Sequence, residues 1–152
     1  MRRLASITCL ILASLVVFCA CGRREPSFDR ALRIRHGSSS TLVRVALART
    51  EPDRERGLMG VRHLPADGGM AFLFARPTTR GFWMKDTLVR LSVAFWDRDG
   101  RIVAILDMTP CHRDPCHVYA PGRPYVGALE THLGFFRAHG IVLRDHVRLD
   151  TR

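Results

Sequence analysis

Leu91-Ser92-Val93-Ala94-Phe95-Trp96 and Ile102-Val103-Ala104-Ile105-Leu106-Asp107-Met108 are two apolar runs separated by Asp97-Arg98-Asp99-Gly100-Arg101. Each run is too short for a typical helix. Both are rich in β-branched and aromatic residues, and the intervening acids and glycine are turn chemistry. The stretch therefore predicts an antiparallel hairpin. Asp97 and Asp99 beside Gly100 resemble a fragment of a calcium loop, but the fragment is too short and the turn explains it.

Outward from this hairpin the same pattern recurs. Leu32 and Ile34 alternate with Arg33 and Arg35, Gly37 to Ser40 is a turn, and Val43, Val45 and Leu47 alternate again, so residues 31–48 read as a second hairpin. Thr50-Glu51-Pro52-Asp53 has the signature of a helix start, and Gly57 closes or bends that helix. Leu58, Met59 and Val61 are expected to face inward. Met70 to Phe74 reads as an apolar strand ended by Pro77. Phe82-Trp83-Met84 is a further aromatic stretch. Pro110 to Pro124 is a loop with four Pro and two Cys. Tyr125 to Leu129 reads as a strand, Thr131 to His139 as a helical turn, and Val142 to Leu149 as a last strand. The sum is a mainly β domain, a compact sandwich or barrel with one or two short helices.

The chain has 152 residues, enough for one domain with its own core. Its formal charge is +10, from 23 Arg, one Lys and 14 acids, and it has no Asn or Gln. Scarcity of Lys and Asn together points to codon usage in a genome rich in G and C. The Arg residues are spread over nearly every segment without interleaved aromatics. Nucleic acid is therefore not an expected partner.

Arg2 and Arg3 precede a run from Leu4 to Ala20 whose only polar side chains besides Cys are Ser6, Thr8 and Ser14. Residues 1–20 read as an export signal. Phe18-Cys19-Ala20-Cys21 resembles a lipobox with Phe where Leu is usual. Cysteine parity agrees: Cys111 and Cys116 can pair, and lipidation explains the odd Cys21. The expected product is a lipoprotein facing the extracytoplasmic side, tethered to the membrane through Cys21. A soluble periplasmic or secreted protein and a retained membrane anchor are the alternatives. Residues 21–30 form the tether, and 31–152 the β-rich domain.

Arg56-Gly57-Leu58-Met59, Gly69-Met70-Ala71-Phe72 and Phe82-Trp83-Met84-Lys85-Asp86-Thr87 occur in an order and spacing that resemble the domain of unknown function 192 family. Leu129-Glu130 and the Gly134 to Gly140 stretch are similar to its carboxy-terminal pattern. The resemblance covers roughly residues 40–149. It implies a compact β-sandwich of jelly-roll-like shape, often behind an export signal, with no established activity, substrate or cofactor. The chain departs from the family pattern at Asp86, where Asn is usual, at Arg90, where Pro is usual, and at Ser92, where Asp is usual.

Lys85 is the sharpest single residue, because Arg is used everywhere else. A desolvated amine near Trp83 would be a nucleophile or base. An amine paired with Glu130 or Asp86 would instead hold a turn. The second role is favoured, since no nucleophile-plus-base pair is visible. Glu130 lies in an apolar strand and calls for a partner. Trp83, Met84, Lys85, Asp86, Glu130 and Met59 form the candidate patch for a small ligand or an envelope partner. The alternative is an envelope enzyme, a hydrolase or group-transfer catalyst, using Lys85 and Glu130.

Cys111-His112-Arg113-Asp114-Pro115-Cys116-His117 contains metal-ligand residue types. In an oxidising compartment a disulfide between Cys111 and Cys116 is the favoured reading, and metal handling through these Cys and His is a second alternative. Met59, Met70, Met84 and Met108 read as core filling. His63, His132, His139 and His146 have no ligand spacing. The sequence carries no recognisable cofactor motif, and no metal is expected.

Overall fold

A computed structural model describes residues 26–150. The leader and Cys21 lie outside the described residues. The elements are β1 (Arg30–His36), β2 (Ser39–Ala48), α1 (Glu51–Arg56), β3 (Gly68–Thr78), β4 (Phe82–Trp83), β5 (Leu91–Trp96), β6 (Ile102–Met108), β7 (Val118–Tyr119), β8 (Tyr125–His132), α2 (Phe135–Ala138) and β9 (His146–Asp150). With 49% of residues in strands and 8% in helices, the fold is mainly β, as expected. It is one curled seven-stranded half-barrel sheet in the order β6-β5-β8-β3-β2-β1-β9, with β4 and β7 forming a separate ribbon.

All pairings are antiparallel except β2 with β3. A parallel pair needs a crossover, and α1 with residues 57–67 supplies it. Thr50 caps α1 as expected: its hydroxyl accepts the Asp53 amide at 3.3 Å, while Arg54 and Arg56 occupy the last turn. At one end the curl brings the two sheet edges together. The Ile102 amide donates to the Asp145 carbonyl at 2.9 Å, and the Val147 amide to the Gly100 carbonyl at 2.7 Å.

Strand alternation sorts the apolar residues into two clusters. Leu32, Ile34, Val43, Val45, Ala71, Ala94 and Leu129 pack with Phe135, Phe136 and Ile141 of the carboxy-terminal segment. Met70, Phe72, Val93, Phe95, Tyr125 and Ala128 face the other way, under Leu58, Val61 and Leu64 of the crossover and Met84 beside β4. The second face bears the candidate site.

Four boundaries differ from expectation. β3 continues through Pro77 to Thr78, where its pairing with β8 is interrupted between Leu73 and Thr78. Proline is tolerated there because the ladder already breaks. The loop after Pro110 contains the two-residue β7. β8 extends to His132, so α2 keeps only one turn. The last strand starts at His146, because Val142 to Asp145 form a turn in which the Asp145 carboxylate accepts the Val142 amide at 2.7 Å.

Candidate functional site

Glu130 stands near the end of β8, the strand between β3 and β5. Its cross-strand neighbours are Met70 and Val93. The period of the strand points it to the same face as Ala128, under the crossover. It is only 4% exposed. Among the described residues no hydrogen bond or ion pair reaches its carboxyl. Burial pushes that carboxyl up to about 8, with no charge partner to offset desolvation.

The carboxyl is not walled in. It lines a cavity of about 200 Å³ together with Met59, Phe72, Phe82, Trp83, Thr87 and Tyr125. The aromatic walls form a chain of edge-to-face contacts. Phe72 meets Phe82 at 4.8 Å, Phe82 meets Phe95 at 5.4 Å, and Phe95 meets Tyr125 at 4.8 Å between centroids. Such contacts fix ring orientation as well as burying area. The Tyr125 hydroxyl donates to the Arg80 carbonyl at 2.7 Å, and the Thr87 hydroxyl to the Lys85 carbonyl at 3.3 Å. Both hydroxyls are therefore committed to holding the wall.

Three of the charged side chains around the cavity pair with one another, while Glu55 and Arg56 lie exposed at its rim. Arg54 bonds Glu51 at 2.7 Å and the Leu73 carbonyl at 3.0 Å, and its guanidinium lies 5.1 Å from the Phe74 ring centre. Arg80 also pairs with Glu51. These two Arg hold the Glu51 carboxylate below its ordinary pKa.

The predicted patch divides. Trp83 and Met59 line the cavity with Glu130, Trp83 being half exposed and Met59 only partly buried. Met84 is fully buried, and its carbonyl accepts the amides of Thr87 and Cys111. Asp86 has φ 53°, a left-handed conformation that Asn and Asp tolerate better than most residues, and its carbonyl accepts the Gly60 amide at 2.9 Å. The Met84–Thr87 turn thus ties the crossover to the disulfide loop, a local reason for the Gly57–Gly60 and Trp83–Thr87 stretches to occur together.

Lys85 does not meet Glu130. Its ammonium pairs with Asp114 at 2.6 Å, and its side chain is 39% exposed. Nor is it desolvated: the Asp114 carboxylate raises its pKa, opposite to what a nucleophilic amine needs. The expected pairing of Lys85 with Glu130 or with the Asp86 carboxylate gives way to Asp114, because Lys85 bridges to Cys111 through its backbone. Cys111 and Cys116 form the expected disulfide. That removes their thiolates as ligands, and His117 packs edge-on against Tyr119 at 4.5 Å. Among the described residues no three His, Cys, Asp or Glu groups form a metal-binding cluster.

Sequence reasoning missed Phe72, Tyr125, Thr87, Arg54 and Arg80 as cavity residues. The aromatic residues read as core, and in a chain this rich in Arg no single Arg stands out. Ser92, where the family pattern has Asp, is a tie: its hydroxyl donates to Asp107 and accepts the Gly134 amide at 2.8 Å.

Among the solved structures that share the fold are these two. One is a protein of unknown function from Novosphingobium aromaticivorans, 28% identical, with TM-score 0.73, over 78% of this chain and 83% of that one. The other is a "putative transcription regulator" from Sinorhizobium meliloti, 27% identical, with TM-score 0.76, over 84% of this chain and 98% of that one. Among curated proteins none matches. A family profile described as "Uncharacterized ACR", the domain of unknown function 192, matches residues 32–149. The chain belongs to this DUF192 family.

Proposed function

We propose that the protein is an exported, membrane-tethered module that binds a small ligand in the Glu130 cavity. The observation that carries the binding reading is the buried carboxyl without a protein partner, facing open space between fixed aromatic rings. Leaving such a group unpaired is costly unless something outside the fold completes it. A preformed hollow with aromatic walls, a buried carboxyl and a charged rim suits a small molecule. The leader and Cys21 supply the proposed tether, with Arg23 and Arg24 beside it suited to anionic headgroups. Among the described residues no helix is long and apolar enough to cross a membrane.

Catalysis is the second reading, and the raised pKa of Glu130 favours it, since a carboxyl near neutrality suits a general acid or base. It ranks below binding because Lys85 is committed elsewhere and the cavity walls show no nucleophile paired with a base.

Native mass spectrometry of the product made with its own leader in a bacterial host tests the proposal. The expected result is lipid mass on Cys21 and a stoichiometric non-covalent adduct that Glu130→Gln loses. An unlipidated Cys21 overturns the tether. An adduct indifferent to Glu130→Gln, or no adduct under any growth condition, overturns the cavity as ligand site.

A further inference from the structure

We propose that the Glu130 cavity selects organic cations: an alkylammonium group seated against the Glu130 carboxylate, with its carbon chain along Phe72, Phe82 and Trp83. The inference rests on the ligand-binding reading above and names the chemical class of ligand.

Three observations converge on a cation. First, the polar group presented to the cavity from the sheet is a carboxyl, and no protein cation reaches it. Of the cations lining the cavity, Arg54 and Arg80 pair with Glu51, and Arg56 lies exposed on the last turn of α1. An anionic ligand seated on the buried floor would meet the Glu130 carboxyl, which has no cation partner there. Second, the walls are aromatic. Ring faces attract ammonium groups and also accept alkyl chains, the combination used in the aromatic cages that recognise quaternary ammonium ligands. Lys85 already illustrates the affinity, its ammonium lying 5.8 Å from the Trp83 ring centre on the exposed side. Third, the hydroxyls of Thr87 and Tyr125 are bonded to backbone carbonyls. They are not spare donors for a neutral or anionic ligand. A metal ion fits poorly, because among the described residues no three His, Cys, Asp or Glu groups come close enough together to ligate one.

The cavity is small, about 200 Å³, below the size that holds drug-like molecules. It matches a short amine or the end of a longer one. A free amine and the side chain of a peptide lysine share this chemistry.

The test uses the full-length chain in detergent, titrated by calorimetry with n-butylamine, tetramethylammonium, n-pentanol and butyrate. A short lysine-containing peptide and its acetyl-lysine form are titrated alongside. At pH 9, where the Glu130 carboxyl is ionised and the amines are still ammonium ions, amines are expected to bind at least tenfold more tightly than pentanol, with butyrate weakest. Glu130→Gln, checked for native near-ultraviolet circular dichroism, should abolish this preference. Trp83→Leu, at a half-exposed position where folding is not at stake, should weaken the amines more than pentanol. Binding of the lysine peptide but not the acetylated one assigns the source as a protein side chain; binding of free amines alone assigns it as a small molecule. Pentanol or butyrate binding as tightly as the amines overturns the cation preference but leaves a ligand cavity. No binding by any probe overturns both.

Discussion

Glu130 and Met70 face each other across the β8–β3 ladder, a carboxyl opposite a thioether in an otherwise apolar row. The folded chain keeps this carboxyl protonated up to about pH 8, whereas its ordinary value is 4.5. Between those values the folded protein holds a proton that the unfolded chain has released. The stability contributed by the neutral form is therefore complete below the lower value. It is lost as pH rises through the window and levels off above it. The slope approaches roughly 1.4 kcal/mol per pH unit, for a total of a few kcal/mol. Glu130→Gln does not titrate. Denaturant melts of both proteins from pH 4 to 9 should diverge, with the variant gaining relative stability as pH rises. Parallel profiles would mean that the carboxyl has a partner or ready access to solvent.

Thr131, the next residue on β8, points to the opposite face and is fully buried. Its hydroxyl has no hydrogen-bond partner. Thr131→Val keeps the side-chain shape and removes a desolvated polar atom. It should stabilise the fold by about 1 kcal/mol, seen as an increase of a few degrees in Tm. A drop in Tm would reveal a water or partner bonded to that hydroxyl.

The short apolar runs Leu91–Trp96 and Ile102–Met108 around an acid-and-glycine turn made the β5–β6 hairpin legible, because run length, residue type and turn chemistry are local. The caps at Thr50 and Gly57 were legible for the same reason. The cavity was not. Phe72 on β3, Tyr125 on β8 and Phe82 on β4 converge only when the sheet curls, and no local pattern records that curvature. Glu130 stood out as a carboxyl in an apolar strand. The identity of its neighbours could not be read, since Lys85 and Asp114 are brought together by the disulfide loop rather than by sequence proximity.

The Cys111–Cys116 disulfide closes a loop of six residues, with Asp114 inside it. Removing the cross-link should cost about 2 kcal/mol through the unfolded chain. It should also free Lys85, whose pKa is raised chiefly by the hydrogen bond to Asp114. Competitive amine labelling of Cys111→Ser/Cys116→Ser against wild type should show Lys85 becoming more reactive at pH 9. Asp114→Asn should reproduce the labelling change with the disulfide intact. Unchanged labelling in both variants would mean that the ion pair does not govern the amine.

Gly127 leaves room for Trp96 where β8 and β5 run side by side. A β-carbon on Gly127 would lie 2.1 Å from the indole ring, so even Ala forces the ring to move. Trp96 is buried in the carboxy-terminal cluster with Phe135 and Ile141 and has little space to retreat. Gly127→Ala should therefore destabilise the fold by about 1–3 kcal/mol, as overpacking of a dense core does. Trp96→Leu, which shortens the offending side chain, should rescue the Ala variant in a double-mutant cycle, with a coupling energy of at least about 0.5 kcal/mol. Additive losses would place the strain elsewhere in the β5–β8 ladder. Because Trp96 faces away from Glu130, none of these variants should alter ligand binding in the cavity, so the cycle also serves as a stability control for the Glu130 experiments.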